Sequence, residues 1–355
     1  MLLGHLFTRW LQQDFYLDWR LIHWHKIYKN QTNLITTDCF GSSQSIPQVL
    51  AFDNTKKKLN LDQVRVNLSP FKFYSNNDLS IEIAFHLYRL YSLIHGRQMF
   101  NSDCLRLRSI EIRHTISSEE FLLLDVQEVS YFDYIKKNLL LDVKFKSKSK
   151  SLRERIHIDQ NQFALDELHR SQLANILGVN ILIFTADGAL ILNKRSSKTL
   201  IRPGELCSSV SGGLNKSDIV GYTDEDYLGT NLLFLFREAF EEIGINSFDL
   251  IESQSKFLGI TRDLIRGGQP DMFLSAQIKL TQDQALRAYN SVTDKTESSS
   301  LFFFDMGLSV SSSFKEMRKQ KKCQRRMLEL LDTYNDIISL PLLTHLILWY
   351  KTFIQ

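Results

Sequence analysis

The sequence predicts an α/β protein: a mixed sheet covered on both faces, with an α+β region before it and a basic, helical stretch after it. Three observations carry that expectation. Between Leu168 and Gly307 short apolar runs alternate with amphipathic stretches and the series closes on a helix, a pattern that needs a sheet with cover on each side. Asn180–Thr185 and Ala189–Arg195 are two such runs, separated by Ala186-Asp187-Gly188, which has the composition of a hairpin turn. Leu232–Ile243 places apolar and charged residues on opposite sides of a helix.

A chain of 355 residues has room for two domains of ordinary size. The sequence divides into residues 1–165, 166–308 and 309–355. Its hydrophobic fraction of 43% and its 24 phenylalanines are ample for packed cores. The net charge of +3 is too small to argue for wholesale nucleic-acid binding. Cys39, Cys104, Cys207 and Cys323 are scattered, with no C-x-x-C or Cys/His ligand spacing. Neither a zinc site nor a disulfide framework is indicated, and the expected location is cytoplasmic. Met1–Gln31 is aromatic-rich but carries Arg9, Asp14, Asp18, Arg20 and Lys26, and it lacks the apolar core and cleavage site of a signal peptide.

Taken in order, Met1–Asn33 reads as one or two helices anchored by Trp10, Phe15, Trp19 and Trp24. His23 and His25 do not share a helical face and read as ordinary surface or packing histidines. Ile81–Ile94 reads as a helix because Ala84, Leu87, Tyr88, Tyr91 and Ile94 recur at helical spacing. Leu105–Arg108 alternates as a strand does, and Phe121–Val126 suits a buried strand. Lys144–Arg155, with six basic residues and one acid, suits a solvated edge or connector. Further strands are expected at Phe257–Arg262, Met272–Leu280 and Leu301–Phe304. Lys315–Arg326 holds seven basic residues and one acid, and Leu328–Ile338 follows with helical apolar spacing. Ile337–Ile354 is apolar but broken by Pro341, His345 and Lys351, so it suits a packing or partner-binding helix rather than a membrane span.

The stretch richest in chemistry is Arg237-Glu238-Ala239-Phe240-Glu241-Glu242-Ile243-Gly244-Ile245, with Gly212-Gly213 upstream. Measured around a helix from Arg237, Glu241 falls at about 40°, Glu238 at about 100° and Glu242 at about 140°. Phe236, Ala239, Phe240 and Ile243 fall between about 200° and 300°, which gives a core stripe opposite the charged one. Thr230 or Asn231 can cap the start, and Gly244 suits the end. Phe234 and Leu235 fall on the charged side and need cover in the first turn. The three carboxylates repel one another, and Arg237, i,i+4 to Glu241, offsets part of this. A divalent cation would offset more. Mg²⁺ favours carboxylate oxygens, bridges to phosphates and prepares a water for attack. An isolated E-x-x-E-E is more often a solvated helix face. The longer string, with its arginine before, its glycine after and its glycine pair upstream, favours the metal.

Arg237–Ile245 resembles the Nudix box, whose consensus is G-x5-E-x7-R-E-U-x-E-E-x-G-U with U apolar. The second half is met at every defined position, with Ala239 as U. In the first half Glu238 lies 25 residues after Gly213, ten more than the consensus, and Gly229 stands where a glutamate is expected. Asn215–Asn231 therefore reads as an insertion, and Asp218, Asp224, Glu225 and Asp226 all offer substitutes. Ile181–Phe184, Asp187-Gly188, Leu190–Arg195, Pro203-Gly204 and Ser211-Gly212-Gly213 follow the usual order before such a box. The enlarged box loop, Leu258–Arg262, the ending Glu297…Phe302-Phe303, and Phe100–Asn138 with its Ser130–Tyr134 run are similar to the subfamily that cleaves UDP-glucose and UDP-galactose.

The resemblance implies a Nudix α/β/α sandwich and hydrolysis of a nucleoside diphosphate linked to another moiety, giving a nucleoside monophosphate and a second phosphate. It implies that Glu241 and Glu242 ligate Mg²⁺ or Mn²⁺ and that Glu238 is a further ligand or orients the water. Arg237 would hold the carboxylates through charge-assisted hydrogen bonds. Gly212 and Gly213 would let the backbone bend close to helix and metal. Glu297, with Asp271 second, is the expected distal base or metal ligand. Lys194 and Arg195 end a strand beside the expected diphosphate position, where an arginine fork suits phosphate. Arg262 and Arg266 are further expected contacts. Phe273 could stack a base, although a core position is the first expectation. The expected substrate is a UDP-sugar. The rivals are ADP-ribose or another nucleotide, a non-catalytic nucleotide sensor, and RNA-end processing through Lys315–Arg326. The expected partner is a small molecule, with no membrane and no nucleic acid. The oligomeric state is open.

Overall fold

The computed structural model describes residues 24–41, 43–74, 79–97, 99–144, 150–157, 163–222, 228–229, 233–292, 297–306 and 321–354. The chain is mixed α/β. In chain order the strands are β1 (Leu34–Thr36), β2 (Ser45–Asp53), β3 (Val64–Leu68), β4 (Asp103–His114), β5 (Glu120–Ser130), β6 (Gly178–Phe184) and β7 (Ala189–Arg195). They continue with β8 (Leu206–Cys207), β9 (Val210–Gly213), β10 (Val220–Tyr222), β11 (Leu228–Gly229), β12 (Lys256–Asp263), β13 (Gln269–Gln277) and β14 (Ser298–Asp305). The longer helices are α1 (Leu79–Ile94), α2 (Leu233–Ile243), α3 (Gln282–Ser291), α4 (Lys321–Tyr334) and α5 (Leu340–Phe353).

Among the described residues the strands form two sheets. The larger runs β1-β2-β12-β13-β6-β7-β14, with β8 on β7 and β9 on β6, and the smaller runs β10-β11-β3-β5-β4. β6 is central and parallel to β13, with Asp271 opposite Gly178 and Gln277 opposite Phe184. Every residue of β6 is buried, as an apolar run covered on both faces requires. Between the two sheets Val66, Leu105, Leu122 and Leu124 pack with Val179, Ile181, Met272 and Leu274, joined by Ala239 and Ile243 of α2 and Tyr289 of α3. On the opposite face Leu182, Phe184, Leu190 and Phe273 pack with Leu330, Leu342, Leu346 and Trp349 of α4 and α5. The large sheet is thus covered on both faces. Its strands come from either side of residue 165, since β2 pairs with β12 (Phe52 opposite Ile260).

Within Ile337–Ile354, expected as a packing or partner-binding helix, α5 packs on the large sheet and Pro341 stands in its first turn. The Ser339 side chain accepts from Leu342 N at 3.3 Å, and a proline in the first turn loses no intrahelical bond. His345 is fully buried inside that helix. Its Nε2–H donates to Leu274 O at 2.8 Å, and its Nδ1 accepts from Ser208 Oγ at 2.9 Å. Burial pushes its imidazole down to about 3, so it is neutral. The Lys144–Arg155 stretch is not simply a solvated edge. Arg153 is buried, donates to both oxygens of Asp142 at 2.7 and 2.8 Å, and donates to Tyr28 Oη at 2.7 Å. Trp24 is buried, while Trp10, Phe15, Trp19, His23 and residues 315–320 lie outside the described residues. Among the described residues no helix is long and apolar enough to cross a membrane.

Candidate functional site

Helix α2 is set against the core by Ala239 and Ile243, both fully buried. Phe240, expected in the same stripe, is 58% exposed. It lies about 60° from Ile243 towards Arg237, at the rim of a stripe narrower than the sequence suggested. Gly244 ends the helix at φ +72°, with the Gly244 and Ile245 amides returning to Phe240 O and Ala239 O. A Cβ on Gly244 would stand 2.6 Å from Ala288 O, so this glycine also lets α2 and α3 close together.

The charged face has definite partners. Arg237 donates from Nε to Asp218 Oδ1 at 2.8 Å and from Nη2 to Asp218 Oδ2 at 3.0 Å, and from Nη1 to Glu241 Oε2 at 3.2 Å. Asp218 Oδ2 also accepts from the Asn215 amide at 2.9 Å, which fixes the turn after Gly213. Among the described residues, Asp218 is the loop acid that meets the arginine. Asp224, Glu225 and Asp226 lie outside the described residues. Counted from Gly212 rather than Gly213, Asp218 stands six residues on, the consensus G-x5-E spacing with aspartate in place of glutamate, and the excess over the consensus becomes eleven residues (238 − 212 = 26 against 15). The extra residues therefore fall between Asp218 and Arg237. Part of that insertion, β10 and β11, pairs as a hairpin that joins β3 of the small sheet.

Glu242 Oε2 accepts from Asn193 Nδ2 at 3.2 Å, and Asn193 in turn accepts from Ser298 Oγ at 2.8 Å. Glu241 points outward, 56% exposed at its side chain. The Glu238 side chain lies outside the described residues, so the expected trio is described at two of its members. Among the described residues no three His, Cys, Asp or Glu side chains cluster as a metal would need.

Arg195 and Glu297, expected separately as a phosphate contact and a distal base or metal ligand, form an ion pair. Arg195 Nη2 meets Glu297 Oε2 at 3.1 Å, and Nε donates to Ile201 O at 3.0 Å. Burial opposes the Arg195 charge, but the surrounding Cys207, Glu297 and Glu242 raise its pKa. Lys194 is half-buried and alternates to the other face of β7, away from Arg195. Arg262 is also directed elsewhere: it donates to Gly268 O at 3.2 Å and Asp166 O at 2.6 Å, bracing the β12–β13 turn. Phe273 is a core residue, edge-on to His345.

A second polar group lies near this one, and only Arg266 and Asp271 of it were expected as site residues. Arg202, Asp263, Arg266, Asp271 and Tyr134 are gathered at the ends of β12, β13 and β6. Arg202 Nη2 lies 3.6 Å from Asp263 Oδ2 and Arg266 Nε lies 4.0 Å from the same oxygen. Arg266 Nη1 donates to Tyr134 Oη at 3.3 Å and Gln269 Oε1 at 3.2 Å. Burial pushes the Asp271 carboxyl up to about 6 despite Arg202, with Asp263 adding to the rise. Burial and then Arg266 pull the Arg202 pKa down. Burial raises the Tyr131 pKa, and charges of both groups also act on it: Glu297 and Arg195 of the first, Arg266 of the second. Arg202 and Asp263 carried no sequence signal of their own. The local hint was Pro203-Gly204, which marks a turn without saying where its arginine goes.

No protein-family model matches the chain, and no curated protein matches it. Among solved structures it is similar to DR0079 from Deinococcus radiodurans at 16% identity and a TM-score of 0.25, over 45% of this chain and 82% of the other. It is similar to Tm1382, named as a candidate Nudix hydrolase, at 13% identity and a TM-score of 0.26, over 46% and 73%. It is similar to the MutT protein from Methanosarcina mazei Go1 at 16% identity and a TM-score of 0.23, over 45% and 95%.

Proposed function

We propose that this chain is a Nudix-type hydrolase that cleaves the pyrophosphate linkage of a nucleoside diphosphate joined to a second group, with a UDP-sugar as the first substrate to try. The observation that supports it most is the Arg237–Asp218 clasp. It joins the two halves of a box that the sequence presents as broken, with Gly212 and Asp218 at the consensus spacing.

Glu241 and Glu242, with Glu238 beside them in α2, would hold Mg²⁺ or Mn²⁺. Carboxylate oxygens near solvent are the donors such hard ions take while keeping waters of their own. When bound, the metal supplies charge neutralisation on the diphosphate and a more acidic water. The chain's own residues do the rest. Arg237 orients Glu241, and Asn193 orients Glu242. Arg195 offers N–H donors where phosphate charge develops, and Glu297 beside it is placed to take a proton from the attacking water.

The test is hydrolysis of UDP-glucose and ADP-ribose with Mg²⁺ or Mn²⁺, products read by mass, in the wild type and in a Glu241→Gln/Glu242→Gln double variant. The double variant should lose product formation and keep its thermal transition. Full activity in it overturns the metal assignment. Ligand-dependent stabilisation of the wild type with no product would instead make the chain a nucleotide sensor.

A further inference from the structure

Asp271 is a buried carboxylate with an unsatisfied oxygen. It is 4% exposed, and its Oδ2 has no hydrogen-bond partner. Its Oδ1 has only a long contact, Asn180 Nδ2 at 3.4 Å. Arg202 is the strongest opposite charge acting on it, yet no Arg202 nitrogen comes within ion-pair distance. Arg202 has the complementary deficit. Its side chain is 17% exposed, and its ion pair is the 3.6 Å approach to Asp263, too long for a hydrogen bond. The residue is held at φ +51° immediately before a proline, a conformation that costs a non-glycine residue energy. Asp271 is opposite Thr261 and Asp263 is opposite Gln269 across β12 and β13, so the ion pair to Asp263 brings a nearly buried donor close to a buried acceptor that it does not meet. Arg202 offsets the buried charge of Asp263, but fold stability gives no reason to keep the Asp271 carboxylate, since an unpaired buried polar atom is destabilising.

The location bears on what would join them. Asp271 is opposite Gly178, and Gly178 is opposite Gly213, across three adjacent strands. Two strand spacings put the Asp271 backbone about 10 Å from the glycine pair where the diphosphate is proposed to lie. That is the reach of one sugar or one nucleoside from the phosphates. The local charge is close to balanced. Arg195 has Glu297, Arg202 and Arg266 share Asp263, Asp271 offsets the remaining cation, and Glu205 adds a further acid near both Arg202 and Arg266. Balanced charge disfavours a further phosphate and suits a neutral group.

We propose that Arg202 and Asp271 form a donor–acceptor pair that fixes the end of the substrate remote from the metal, by taking a neutral group with an oxygen acceptor beside an O–H or N–H donor. Arg202 donates to the oxygen, and Asp271 Oδ2 accepts from the neighbouring hydrogen. A sugar diol and a uracil imide both offer that pattern. This rests on the pyrophosphatase reading for the choice of ligand, but its test does not depend on turnover.

The experiment measures binding to the full-length chain by calorimetry in EDTA, at pH 7, for UDP-glucose, UDP and glucose 1-phosphate. Wild type, Asp271→Asn and Arg202→Gln are compared, with the thermal transition of each. Both variants should bind UDP-glucose at least tenfold more weakly. Asp271→Asn should at the same time melt at a higher temperature, because it removes a buried unpaired charge. A residue with a merely structural role would lower both. Weakening shared by glucose 1-phosphate but not UDP assigns the pair to the sugar, and the reverse assigns it to the base. Wild-type affinity in both variants, or a lower melting temperature for Asp271→Asn, overturns the proposal while leaving hydrolysis intact. A wild type that neither binds nor cleaves these ligands overturns the pyrophosphatase reading and this one with it.

Discussion

Arg237 grips Asp218, nineteen residues earlier in the chain, through two near-parallel contacts of 2.8 and 3.0 Å. The carboxylate is almost wholly buried, with a side-chain exposure of 1%, and the guanidinium is 27% exposed. Planar bidentate pairs of this kind fix orientation as well as adding attraction. Here the pair ties the turn after the glycine strand to the face of α2 that carries the glutamates.

Asp218→Asn should therefore cost about 2–3 kcal/mol. That is somewhat less than for a fully buried pair, because water reaches part of Arg237. The shift of a urea unfolding midpoint at constant slope measures it. The proposed hydrolysis should fall at least tenfold as α2 loses its register. If activity is unchanged, the clasp is not what positions the helix.

Asp271 sets a pH dependence. Its folded pKa of about 6 exceeds the ordinary 3.8, because burial, assisted by Asp263, outweighs Arg202, Arg266 and the Asn180 contact. The folded state therefore binds the proton more tightly than the unfolded chain. Stability attributable to this group rises as pH falls through 6 and levels off below about 4, by roughly 3 kcal/mol in all. Wild type minus Asp271→Asn, compared by chemical denaturation at pH 7 and pH 5, should show the gain. A difference that does not change with pH would mean the carboxyl titrates normally.

His345 acts in the opposite direction. Its folded pKa of about 3 is far below the ordinary 6.5, since burial disfavours the cation. Stability is then lost as pH drops below 6.5, by roughly 2–3 kcal/mol at pH 4.5. His345→Gln keeps a donor and an acceptor near Leu274 O and Ser208 Oγ, and it should flatten that acid limb. A limb of unchanged slope would place the acid sensitivity elsewhere.

Gly178→Ala tests the packing under Asp271. A Cβ there would sit 2.1 Å from Asp271 Oδ1, and the carboxylate or the strand has to move. The expected cost is about 1–3 kcal/mol. The same change made in an Asp271→Ala background should cost markedly less, because the clash partner is gone. Equal costs in the two backgrounds would move the strain to the backbone of β6.

Much of this was legible along the chain. β6, β7, β12, β13 and β14 follow from apolar runs and turn residues, and α2 from the spacing of Ala239 and Ile243 against its glutamates. These signals are local. What the sequence hid depends on partners far apart. The pairing of β3 with both β5 and β11, and of β2 with β12, joins segments separated by tens to hundreds of residues. Periodicity says that a strand exists, not which neighbour it takes. Phe240 was misread because the helical wheel gives an angle but not the width of the contact. Arg202 and Asp263 were missed because a turn arginine and a strand-end aspartate mean nothing until the fold sets them beside Arg266 and Asp271.

The way β2 zips onto β12 while α5 lies over Phe184 and Phe273 has a practical corollary for anyone trimming the molecule. A fragment confined to residues 166–308 would bare the peptide edge of β12 and a greasy floor several side chains wide. Raw strand edges recruit other strands. Such a fragment would clump in the tube, and its silence in an assay would say nothing about the glutamates it still carries.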